Sequence, residues 1–134
     1  MERLTVRFEA AHKSVNRLGE DIELLETQKK FHRQFRNSAI QSFEFSMDTF
    51  WKFIKEYLEI KYIVTIPTPS PRSVFREATN LNVLTKSELQ LLNKLVADRN
   101  LTSHTYNESL AEEIAQRLPE YYQIMQSILQ RIRL

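Results

Sequence analysis

The chain has no cysteine, which excludes disulfide bonds, a thiolate nucleophile and cysteine-based zinc sites together. It has one glycine, Gly19, and four prolines, three of them crowded at Pro67, Pro69 and Pro71. So few breakers predict long helices with one marked interruption. An excess of one charge is also missing: 19 Lys and Arg stand against 17 Asp and Glu, a formal balance of +2. Bulk electrostatics therefore gives no sign of nucleic-acid binding, and any phosphate recognition has to be local. No apolar run is long enough to cross a bilayer, and Met1 to Gly19 alternates charged and apolar residues in place of a basic stub and an apolar stretch. A cytoplasmic location without a membrane partner is the default expectation. The three histidines, His12, His32 and His104, are scattered, so no set of metal ligands is expected, and His12 and His32 read as surface residues of their helices.

What is present is helical periodicity in a length suited to one domain, taken as residues 1–134. Leu4, Phe8, Ala11, Val15, Leu18, Ile22 and Leu25 are spaced alternately four and three apart, which predicts a first helix from about Glu2 to Gln28. The period runs through Gly19, whose cost of about 1 kcal/mol relative to alanine a long stripe absorbs; a turn at Gly19 is the alternative. A second helix, roughly Arg33 to Lys61, carries Phe35, Ala39, Phe43, Met47, Phe50, Ile54 and Leu58 on one stripe. Phe45, Trp51, Phe53 and Tyr57 lie off that stripe, so this helix should meet two neighbours or another subunit. Glu44, Asp48 and Lys52 follow one another at intervals of four. Asp48 and Lys52 form an ordinary helix pair, whereas the like charges of Glu44 and Asp48 require a cation from elsewhere, for which Arg99 is the candidate.

Tyr62 to Ser70 reads as an extended connector, and Ser70 followed by Pro71 opens a short helix to about Asn80. Thr85 with Glu88 forms a capping box that opens a helix bearing Leu89, Leu92, Leu95 and Val96. Thr105 with Glu108 reads as a second box that restarts the helix just after His104. Apolar residues from Ala111 to Ile132 continue the pattern, with Pro119 expected to kink or split it. The fold class is all-α, an up-and-down bundle of four to five helices.

Chemistry concentrates in Arg99, Asn100, Leu101, Thr102, Ser103, His104, Thr105 and Tyr106. On a continuous helix Arg99 and His104, five apart, lie about 140° from each other, so they converge only if the helix bends or ends there, or if a second copy completes the site. Asn100, four before His104, is placed to bond a ring nitrogen and set the tautomer. Taken alone, the cluster also reads as a polar helix end, with Arg99 covering the last carbonyls and Tyr106 at the edge of the core.

The order Arg, four residues, His, one residue, Tyr resembles the signature of the HEPN superfamily, and RNLTSHTYNE is similar to its HepT branch. FEFSMDTFWK in the second helix and SPRSVFREA in the short helix resemble the same branch. The resemblance implies a dimeric bundle in which two motifs face each other in one composite site. It also implies a minimal nucleotidyltransferase partner, as antitoxin to a toxin or as catalytic subunit to a substrate-binding protein. Active HEPN members are metal-independent ribonucleases, so Arg99, His104 and Asn100 are the implied catalytic residues, supported by Glu44 and Asp48, with no cofactor. RNA brings its own 2′-hydroxyl nucleophile; His104 would move protons and Arg99 would hold the phosphate charge. Tyr106 matches the tyrosine that accepts AMP from the partner in the HepT-like family. The alternative is a non-catalytic substrate-binding subunit of a two-component nucleotidyltransferase.

Overall fold

The computed structural model describes residues 2–132. Five α-helices follow in order: α1 (Glu2–Thr27), α2 (His32–Lys61), α3 (Pro71–Asn80), α4 (Lys86–Leu101) and α5 (Glu108–Arg131), with a single 3-10 turn, Thr102–His104, between the last two. The described residues contain no strand. Among them no helix is long and apolar enough to cross a membrane.

The alternating spacing in α1 buries Leu4, Ala11, Val15, Leu18 and Ile22, with Phe8 and Leu25 partly covered at the edge. The helix passes through Gly19 unbroken. The residue serves close packing instead of a turn: a Cβ there would stand 2.7 Å from Cε1 of Tyr122 on α5. Along α2, Ala39, Phe43, Met47, Phe50, Ile54 and Leu58 are buried as their stripe predicts, while Phe35 at its start is half-buried. The helix does face more than one neighbour. Phe53 meets Phe8 of α1 edge-on at 5.3 Å, Phe43 stacks on Tyr121 of α5 at 5.5 Å, and Phe50 packs on Phe75 of α3 at 5.9 Å. Phe45 remains largely exposed.

Ser70 and Ser73 close a reciprocal capping box on α3 with Pro71 in the first turn, and Thr85 and Glu88 do the same on α4. The third expected box is not formed. Asn107, with φ −78° and ψ 107°, caps α5 by accepting from the Leu110 amide at 3.1 Å. Thr105 sits near φ −75° and ψ 3°, and its hydroxyl donates back to the Thr102 carbonyl at 3.1 Å. The 3-10 turn thus carries the chain past Thr105, and the next residue with extended backbone and a short acceptor side chain takes the cap. Pro119 does not split the last segment: α5 is one helix, because Leu118 and Tyr121 beside the proline, and Ile114 and Met125 beyond them, are all fully buried. The chain's last two residues lie outside the described range.

Candidate functional site

The site grows from the last turn of α4, where adjacent side chains are gripped by different helices. Asp98, 5% exposed, accepts from Arg117 Nε at 2.7 Å and Nη2 at 2.9 Å, and from the Tyr121 hydroxyl at 2.5 Å. Burial alone would raise its carboxyl, but the bonds from Arg117 and Tyr121 overcome that and hold it below the usual carboxylate range. Burial, reinforced by Asp98, pushes the Tyr121 phenol well up, so it stays a donor.

Arg99 points to α2. Its Nη1 donates to Glu44 Oε2 and to the Thr102 hydroxyl, both at 3.2 Å, and its Nη2 lies 3.7 Å from Asp48 Oδ2. The expected cation for Glu44 and Asp48 is therefore in place. Asp48 pairs with it and forms no ion pair with Lys52 among the described residues. The Thr102 hydroxyl stands 2.6 Å from Glu44 and 2.7 Å from the Arg99 carbonyl, and its one proton serves one of them at a time. Arg99 Nε is buried with no hydrogen-bond partner.

The helix ends here because its hydroxyl residues turn back on the main chain. Thr102 reaches the Arg99 carbonyl, Ser103 the Asn100 carbonyl at 3.3 Å, and Thr105 the Thr102 carbonyl. His104 ends the 3-10 turn, exposed, with its ring centroid 6.0 Å from that of Tyr106 in an edge-on contact. Tyr106 is 83% exposed. Asn100 is exposed, and the expected bond from its side chain to His104 is not formed: the change from α to 3-10 winding removes the four-residue register between them. The structure thus brings together Arg99, Glu44, Asp48 and Thr102, and separately His104 and Tyr106. No hydrogen bond or ring contact joins the two groups among the described residues.

The turn is tied down on its far side. Arg36, with a side chain only 3% exposed, contacts Glu108 Oε2 at 2.7 Å and Glu112 Oε1 at 3.0 Å. Arg33 reaches Glu108 at 3.2 Å, and His32, a surface residue as expected, reaches Glu112 with Nε2 at 2.7 Å. The Arg36 guanidinium holds both carboxyls below their ordinary range. Asp98, Arg117, Tyr121 and Arg36 are participants that the sequence motif does not reveal, and Thr102, which lies within it, gains a partner in Glu44. One signal was available: Leu95, Asp98 and Thr102 share the helical spacing of a buried face, so Asp98 needed a partner. No group of three or more His, Asp or Glu among the described residues could hold a metal ion.

Five helices with this motif turn at the end of α4 define a HEPN-like helical bundle. The chain belongs to the family described as nucleotidyltransferase substrate binding protein like, which matches residues 6–133. A solved protein from Thermus thermophilus is 37% identical, with 92% of this chain and 99% of that chain aligned at a TM-score of 0.82. A Haemophilus influenzae protein, described as revealing the fold of a substrate binding domain of a nucleotidyltransferase, is 22% identical over 99% of this chain and 98% of its own, TM-score 0.71. A tri-AMPylated Shewanella oneidensis HEPN toxin in complex with MNT antitoxin is 14% identical over 95% and 93%, TM-score 0.73. The last two establish the shared fold. Among curated proteins no match is found.

Proposed function

We propose that the chain is the HEPN member of a toxin–antitoxin pair: a cytoplasmic, single-domain homodimer that cleaves RNA without a metal and is silenced by AMP added to Tyr106 by a minimal nucleotidyltransferase. The observation that carries this reading is the placement of Tyr106, 83% exposed with its ring against that of His104. A tyrosine kept for packing covers its ring and leaves only the hydroxyl wet. Here ring and hydroxyl are both open to an approaching enzyme, and a group attached to the phenol adds bulk and charge two residues from the histidine.

The chemistry follows from the side chains. RNA supplies the 2′-hydroxyl; one histidine takes its proton and a second, from the other protomer, returns one to the leaving 5′-oxygen. Arg99 offsets charge developing on the phosphate, aimed by Glu44, Asp48 and Thr102. Asn100 stands exposed beside the turn, where it contacts substrate more readily than His104. For silencing, the Tyr106 oxygen attacks the α-phosphorus of ATP, pyrophosphate leaves, and the phenolic proton goes to solvent. The new phosphodiester puts one negative charge where the RNA phosphate would bind.

A second reading has an observation of its own. Glu44 and Asp48 already meet the charge of Arg99, which suits a non-catalytic subunit that presents substrate to a nucleotidyltransferase. End-labelled RNA incubated with the purified chain, with and without chelator, separates the two. Cleavage to 2′,3′-cyclic phosphate ends in chelator, abolished by His104→Ala and by Arg99→Ala with helix content and dimerisation intact, is expected. Cleavage persisting in both variants removes the motif from the mechanism, and RNA left intact by the wild type favours the second reading.

A further inference from the structure

The turn between α1 and α2 holds an aromatic residue in the wrong place for folding. Phe31 adopts φ 64° and ψ 34°, the left-handed region, where a bulky side chain is a genuine outlier and glycine or asparagine is the ordinary choice. Its ring is not buried to compensate, being 58% exposed. It is flanked by Lys29, Lys30 and Arg33, and the Lys30 ammonium sits over the ring at 5.3 Å from its centroid. Lys29 and Lys30 have no carboxylate partner among the described residues. Strain of this kind persists only where the surroundings enforce it, and it concentrates at functional positions.

This turn lies at the same end of the bundle as the motif. Arg33 and Arg36 both reach Glu108, and His32 reaches Glu112, so the first turn of α2 is bolted to the first turn of α5. The Asn107 amide, just before Glu108, donates to the His104 carbonyl at 3.1 Å. An exposed aromatic beside two lysines that lack a carboxylate partner and an arginine that shares Glu108, at the same end as a candidate phosphodiester site, has the composition of a single-strand stacking platform.

We infer that Lys29, Lys30, Phe31 and Arg33 form a subsite for single-stranded RNA, in which a base stacks on Phe31 and the cations hold the flanking phosphates while the strand runs to His104. The inference rests on the ribonuclease reading for its direction, but not for its test. The subsite is also local, as any phosphate recognition by a chain of near-balanced charge has to be.

The test is fluorescence anisotropy with a short labelled single-stranded RNA and the full chain carrying His104→Ala, so that substrate survives. Phe31→Asn suits the left-handed turn and removes only the ring. It should weaken binding about tenfold, with the thermal midpoint unchanged or raised. Lys29→Gln with Lys30→Gln should flatten the salt dependence, lowering the slope of log K against log salt by about 1.4 for two phosphate contacts. Binding unchanged in Phe31→Asn overturns the subsite, as does a His104→Ala parent chain that binds no RNA. Loss of nucleotidyltransferase binding in Phe31→Asn with RNA affinity intact also overturns it, and makes the turn a protein-docking surface. In a parallel assay with His104 intact, RNA that binds through Phe31 but is never cleaved leaves the subsite standing and removes the ribonuclease reading; cleavage by that chain with binding that ignores Phe31 does the reverse.

Discussion

Asp98 and Arg99 are neighbours in sequence held by different helices, the first by Arg117 and Tyr121 of α5 and the second by Glu44 and Asp48 of α2. The last turn of α4 is therefore clamped on two sides just before the chain changes to 3-10 winding. His104 and Tyr106 are presented from a fixed base although both are exposed. Positioning from rigid elements is what a site on a short turn needs in order to act on a substrate.

Glu44→Ala should lower RNA cleavage about tenfold, because Arg99 loses the acceptor that aims it and misplacement is costly in rate. Glu44→Gln keeps an oxygen for Thr102 and for Nη1, and should retain most of the activity. Initial rates on labelled RNA, with circular dichroism to verify folding, check this. A Glu44→Ala rate equal to that of the wild type would show that Arg99 does not depend on Glu44.

The Asp98 network predicts a sign for acid stability. A carboxyl held below its unfolded value of about 3.9 contributes stability that is present above that pH and is lost as pH falls through the lower folded value. Glu88, Glu108 and Glu112 are lowered too, so the wild type should lose stability on acidification below about pH 4. Asp98→Asn should be less stable at neutral pH by about 3 kcal/mol, since it uncouples a buried charge from its partner, and its loss below about pH 4 should be shallower. Urea titrations across pH decide the matter: equal acid sensitivity in both proteins would contradict it.

Gly19 and Tyr122 should be energetically coupled. Gly19→Ala gains about 1 kcal/mol of helix propensity. In the wild type a Cβ 2.7 Å from the Tyr122 ring displaces a packed side chain, and the net change should be destabilising by about 1 kcal/mol. In a Tyr122→Ala background the same substitution should stabilise. A double-mutant cycle that finds the two changes additive would refute the contact.

Features set by neighbours in sequence were legible. The stripe of α1, the boxes at Ser70 and Thr85, and the need of Glu44 and Asp48 for a cation follow from spacing alone. Two expectations failed for one cause. Thr105 with Glu108 matches a capping box, and Asn100 with His104 matches an i, i+4 pair, but both presume α-helical or extended backbone where three hydroxyl residues wind a 3-10 turn. Asp98 with Arg117, and Arg36 with Glu108 and Glu112, depend on how helices dock, which no local pattern specifies. The left-handed Phe31 was hidden because no glycine marks the position.

The most direct measurement follows one preparation of the chain before and after incubation with a minimal nucleotidyltransferase, the proposed partner, and ATP, reading intact mass and RNA cleavage on the same sample. The expected result is a mass rise of whole AMP units that maps to Tyr106, with cleavage lost and helix content and dimerisation kept, and no such rise in Tyr106→Phe. Added mass on another residue, or full cleavage by protein modified at Tyr106, would contradict it.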